Sequence, residues 1–284
     1  MKSKYYFLYI ILGLCFANIS CKKYLDVPPV NIVNEGDLFS NSKGMQLYLS
    51  RMYSQMPFED FKYSPARQFF DDWLVTPGTN EGSSLGRDAG EAMTSEGWAR
   101  NGAYWVRAFN LLRDANNLLE KLPSYKANFS DEEYNHYIGE AYFTRAMVFY
   151  ALAKRYGGIP LVTSLLQYPE KDAAQLEVPR ATEEETWDQV LADYDMAIAN
   201  LNEASPVKGY ANKYVALGFK SEAMLFAGSV AKYNRITGFG QKTGVRVIGF
   251  DPATATAASK KYFSEAYKAA NTIIKSGKYS LYKK

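Results

Sequence analysis

Two stretches of this chain, RAMVFYALAKRY at 145–156 and EAMLFAGSVAKY at 222–233, are variants of one another 77 residues apart. Each has the apolar spacing of a helix, with small residues where a neighbouring backbone can come close. A second pair, DANNLL at 114–119 and AANTII at 269–274, is offset by 155 residues, about twice the first shift. Repetition on this scale means that one helical unit is reused and that successive units bury their apolar faces on each other. The shift exceeds the roughly 34 residues of a plain tetratricopeptide repeat, which calls for loops inserted between helices. The fold class is therefore mainly α: tetratricopeptide-like stacked helix pairs with long inserted loops.

The individual helices can be placed from their ends. Tyr104 to Leu122 carries apolar residues at 105, 108, 109, 112, 115, 118, 119 and 122 and stops at Pro123. Ser130 and Glu133 form a capping box for the next helix, which Gly157, Gly158 and Pro160 terminate. Thr182 and Glu185 form a second box, opening a helix with Trp187, Val190, Leu191, Tyr194, Ile198 and Leu201 on one face. Its partner, over 212–233, turns Ala216, Phe219, Ala223, Phe226, Ala227 and Val230 inward. A loop with Gly238, Gly240, Gly244 and Gly249 leads to a last helix over 259–275. No segment alternates in the manner of a sheet strand. The third unit has only its first helix before Lys284, the pattern expected of a truncated stack.

The N-terminus reads as an export signal. Lys2 and Lys4 precede an apolar run from Tyr5 to Ala17, too short to span a bilayer but suited to a signal core. Ile19, Ser20 and Cys21 follow in the order of a lipoprotein cleavage site, with Asn18 where leucine or valine is usual. The expected organisation is a signal peptide over 1–20, a lipidated tether over 21–36 beginning at Cys21, and a helical-repeat domain over 37–284. Cys15 leaves with the signal, so Cys21 is the single cysteine of the mature chain and neither a disulfide nor a cysteine metal site can form. The net charge of +3 is near balance and argues against a nucleic-acid surface.

Aromatic residues make up 15% of the chain, 23 of them tyrosines. Such side chains suit stacking on sugar rings and equally suit helix packing. Between 69 and 105 they mix with planar polar groups: Asp71, Asp72, Trp73, Asn80, Glu81, Arg87, Trp98, Asn101, Tyr104 and Trp105. An aromatic plate beside groups that bridge hydroxyls is what a sugar site needs. Trp98 either stacks on a ligand or packs at a helix start, and Asp71, Asp72 and Arg87 either bind or form a local ion pair. Trp73, Tyr104, Trp105 and Trp187 read as core.

Catalytic readings are weak. His136, the one histidine, reads as lying on the polar, solvated side of its helix one turn from Glu140, with no third metal ligand nearby. Asp71 and Asp72 are adjacent, which rarely sets two carboxyls across one glycosidic bond. Glu183, Glu184 and Glu185 fill a helix first turn, where negative charge suits the dipole. GFGQKTG at 238–244 lacks the phosphate-loop pattern and its preceding strand. No metal, cofactor or catalytic residue is expected.

Several segments resemble the SusD/RagB family of outer-membrane nutrient-binding lipoproteins. They are YLDVPP (24–29) after the cysteine, WARNGAYWVRAFNLLRDANNLL (98–119), GEAYFTRAMVFYALAKRYGGIPLV (139–162), and VPRATEEETWDQVLADYDMAIANL (178–201). KYVALGFKSEAMLFAGSVAKY (213–233) and YFSEAYKAANTIIKSGKYSL (262–281) continue the order. The resemblance implies a lipid-anchored protein of the outer membrane, facing outward, that captures glycans. It would act as a lid over a SusC-like TonB-dependent transporter, without catalysis. It also implies that the chain corresponds to the first half of a typical member. By resemblance, Asp72 accepts, Arg87 donates and Asn101 does both in hydrogen bonds to the ligand, while Trp98 stacks on it. A helical scaffold or adaptor for the transporter, without a glycan site of its own, is the alternative. A glycan-processing enzyme is a further one.

Overall fold

The computed structural model describes residues 35–56, 103–166, 176–234 and 244–281. They form α1 (Glu35–Phe39), α2 (Ser42–Tyr53), α3 (Ala103–Lys121), a 3-10 helix (Leu122–Asn128), α4 (Asp131–Tyr156), α5 (Glu183–Asn200), α6 (Lys213–Tyr233) and α7 (Ala255–Ser276). Among the described residues there is no strand, only an isolated antiparallel bridge between Pro160 and Arg180. The fold is the mainly helical stack that the repeats imply. The five long helices pack in chain order, each against the one before. The bound drawn at 20 and the tether up to residue 34 lie outside the described residues, while Glu35 and Gly36, the last two residues of the expected tether, open α1.

Caps set where the helices begin. Ser130 accepts from the Glu133 amide while the Glu133 carboxylate accepts from Ser130, and Thr182 and Glu185 do the same. Each box satisfies amide groups that a helix start leaves without partners. Asn212 accepts from the amides of Tyr214 and Val215 at 2.9 Å each and starts α6. The last helix begins at Ala255, a turn before the expected Ser259, and ends with Gly277 in the left-handed conformation. Helix α2, which the sequence patterns did not single out, starts at Asn41, whose side chain accepts from the Gly44 amide at 3.0 Å.

Packing follows the small residues. Ala146 and Met147 of α4 and their repeat equivalents Ala223 and Met224 of α6 are all buried. Gly228 lets α7 approach so closely that a Cβ there would sit 2.8 Å from the Phe263 ring. The outer positions of the repeat differ. Val148 and Phe149 are wholly buried, whereas Leu225 and Phe226 are 56% and 40% exposed, which corrects the inward placing expected of Phe226. Helix α4 has α3, α5, α2 and part of α6 around it, while α6 has α5 and α7 as its main neighbours. Lys220 of α6 ties the second half of the stack together, donating to Asp195 of α5 at 2.6 Å and to Glu265 of α7 at 2.7 Å.

The turn after α4 is the tightest constraint on the chain path. Gly157 has φ of +66° and its amide donates to the Ala153 carbonyl at 3.0 Å. A Cβ on it would collide with the Val247 carbonyl oxygen, and one on Gly158 with the Ala181 carbonyl oxygen. Gly157→Ala therefore combines backbone strain with a collision. We expect it to lower stability by about 2–3 kcal/mol, read from the midpoint of a urea transition followed by helical circular dichroism.

Candidate functional site

The residues expected to meet a ligand, Asp72, Arg87, Trp98 and Asn101, lie outside the described residues, as do Trp73 and Cys21. Trp98 and Asn101 stand directly ahead of α3 in sequence, so the described end of the region is the first turn of that helix. There Trp105 is half-buried, with its ring 4.9 Å from Phe109 and 5.0 Å, edge-on, from Tyr156. This is the packing role expected of it. Trp187 is wholly buried against Tyr150 and Phe226, again as core.

The head of α3 is braced from behind. Arg180, in the VPRAT segment, donates from Nε to the Gly158 carbonyl at 2.7 Å and from Nη2 to the Tyr156 carbonyl at 2.6 Å. The Gly158 amide donates to the Val247 carbonyl at 2.6 Å, and the Ala181 amide to the Ile159 carbonyl at 2.9 Å. Burial of Tyr156 pushes its phenol above the ordinary range, which keeps it neutral. The result is a fixed neutral aromatic platform beneath the start of α3.

Two polar clusters inside the stack were not foreseen. In the first, His136 is buried and not on a solvated face, which corrects the expectation from its helical position. The reason is long-range: the connection between α5 and α6 folds down over this part of α4. The Asn202 amide donates to His136 Nδ1 at 3.3 Å, and His136 Nε2 lies 3.4 Å from Glu140 Oε1. Tyr53 of α2 donates to the other Glu140 oxygen and accepts from the Ala211 amide at 2.6 Å. These groups tie α2, α4 and the connection together. Among the described residues no group of three metal-binding side chains occurs.

The second cluster surrounds Arg145 of α4. Its Nε and Nη2 donate to both oxygens of Asp193 at 2.9 and 2.7 Å, and Nη1 donates to Asn116 Oδ1 at 3.0 Å. All three residues are buried. Glu183, read as a dipole-facing first-turn residue, is buried too: it accepts from the Gly249 amide and, at 3.4 Å, from the Trp187 indole. Arg145, Asp193 and Asn116 lie 29 and 48 positions apart along the chain. Only the contact between three helices marks them as a group.

Residues 23–225 match the family described as starch-binding and associating with the outer membrane. The chain belongs to the SusD-like family. The SusD-like protein P38 of Formosa agariphila is 24% identical over 220 residues, covering 76% of this chain and 41% of that protein. The solved SusD homolog of Bacteroides thetaiotaomicron superposes with a TM-score of 0.59 at 16% identity, over 88% of this chain and 44% of its own. Surface glycan-binding protein A of Bacteroides fluxus gives 0.51 at 16% identity, over 86% and 46%. These structural likenesses establish the fold, and this SusD-like chain spans less than half the length of each of the three. No described helix is long and apolar enough to cross a membrane.

Burial raises the Glu140 carboxyl above its ordinary value, opposed by the hydrogen bonds from His136 and Tyr53. For an acid raised in the folded state, the associated stability is complete below the ordinary carboxylate pKa and is lost as pH rises through the folded value. Glu140→Gln removes that titration. The variant should therefore lose less stability than the wild type between roughly pH 5 and 8, compared by urea transitions at both ends. Equal slopes would show that Glu140 stays charged throughout.

Proposed function

We propose that this protein captures oligo- or polysaccharide at the outer membrane and delivers it to a SusC-like TonB-dependent transporter. Lipid on Cys21 holds it to the membrane, with the ligand side turned outward. Trp98 stacks on a sugar ring, while Asp72, Arg87 and Asn101 take its hydroxyls. The observation that carries this reading is the family match across 23–225, a family described as starch-binding. The name of the Bacteroides fluxus neighbour, a surface glycan-binding protein, agrees with it. No catalytic step is part of the proposal.

A second reading has its own support. Leu225, Phe226, Tyr267 and Ile274 expose apolar surface on α6 and α7, as a helical scaffold for another protein would. The two readings part on a retention experiment. The mature protein should be slowed by immobilised polysaccharide and release no reducing sugar. Trp98→Ala should weaken that retention about tenfold or more, as loss of a stacking aromatic does. Release of sugar would replace capture with hydrolysis. Retention by the transporter alone, across a broad glycan panel, would make the protein a scaffold. Incorporation of labelled fatty acid that Cys21→Ser abolishes would support the anchor, and incorporation unchanged in that variant would overturn it.

A further inference from the structure

We infer that residues 161–166 form a strap that detaches from the helical stack as a unit while the helices stay folded. The segment leaves the Gly157–Gly158 turn and runs over α4 between the Asn116 side of α3 and the Asp193 side of α5. It is held by its main chain. The Asn116 carboxamide donates to the carbonyls of Val162 at 2.9 Å and Ser164 at 3.2 Å, and Arg145 Nη1 donates to the Thr163 carbonyl at 2.9 Å. The Leu165 amide donates to the Glu120 carboxylate.

The side chains contribute far less. None of the six is buried, and Thr163, Ser164 and Leu166 are exposed. Leu161 rests part of its side chain on the core, so detachment trades that one contact and a few hydrogen bonds for water, and no fully buried side chain leaves its place. Segments held in this way open at a lower free energy than the whole fold. Arg145 stays matched when the strap leaves, because Asp193 still occupies two of its guanidinium nitrogens and Asn116 Oδ1 still accepts from the third; only the Asn116 amide nitrogen gives up both of its carbonyl partners. The opening has a natural limit at the Pro160–Arg180 bridge, where Arg180 also grips the Gly158 and Tyr156 carbonyls. Detachment turns the Asn116 amide nitrogen, and the N–H of Arg145 Nη1 that had bonded Thr163, to water.

Native-state hydrogen exchange tests the strap. In the wild type, the Leu165 amide should exchange at a rate insensitive to low urea and about a hundredfold or more above that of Val148 in α4, whose exchange should follow urea. Asn116→Ala, which removes two of the carbonyl bonds, should speed Leu165 exchange about tenfold with Val148 still protected. Thr163→Ala should leave it unchanged, because the grip is on the main chain. Leu165 and Val148 exchanging on one common urea slope would overturn the inference, as would a Leu165 rate indifferent to Asn116→Ala. If Asn116→Ala does not fold, the wild-type urea dependence decides the matter alone.

Discussion

A single buried cation organises the middle of this molecule. Every residue of α4 from Phe143 to Ala153 is buried, and Arg145 lies within that stretch. A guanidinium so placed is costly unless its charge and its donors are matched. Asp193 from α5 supplies the charge in a bidentate pair, and Asn116 from α3 with the Thr163 carbonyl takes the remaining nitrogen. Apolar packing would let three helices slide or rotate against each other at modest cost. The fork geometry of the pair leaves one register. Taking away either partner strands a charge inside the stack, a loss of about 3–5 kcal/mol in comparable buried pairs.

The same centre explains why two copies of one sequence unit behave differently. The repeat places Arg145 in α4 opposite Glu222 in α6, and α4 is enclosed where α6 is not. Glu222 does not need a matched cation in the interior; it accepts from Tyr150 at 3.0 Å at the boundary between the two helices. Leu225 and Phe226 follow the pattern of Val148 and Phe149 yet stand partly in solvent. Sequence similarity between units therefore preserves the buried inner positions, Ala146 and Met147 in one unit and their equivalents Ala223 and Met224 in the other, while each unit's outer side is set by its neighbours.

This division also accounts for what was legible beforehand. The two capping boxes and the Gly157–Gly158 stop are local, each settled within four residues, and all appear where the residues placed them. His136 was misplaced because its surroundings come from Asn202 and Glu140 together, one of them 66 positions away. Helix position alone put it on a polar face, and the polarity of that face turned out to be internal. Arg145, Asp193 and Asn116 carried no signal at all in one dimension, since a charged residue in an alanine-rich helix is ordinarily a solvated one. The proposed ligand residues came from family likeness, and among the described residues only the Trp105 platform lies next to them in sequence.

The aromatic content takes on a different meaning once the stack is known. Trp187, Tyr194, Tyr262, Phe143, Phe149 and Phe250 are wholly buried, and Trp105 and Tyr156 brace one another. Much of a 15% aromatic chain is thus consumed in joining helices that approach closely through alanine and glycine. Aromatic richness is a property of the scaffold and is poor evidence for sugar binding. On the proposed function, recognition falls to the segments between the helices, of which the one between α2 and α3 is the longest in sequence. That segment carries Asp72, Arg87, Trp98 and Asn101, the residues proposed to meet the ligand. The charge pair, the capping boxes and the glycine turn that set the register of the described helices all lie in other parts of the sequence. On the proposed function, specificity for a particular glycan can therefore diverge in such segments while the residues that set the helix register stay the same.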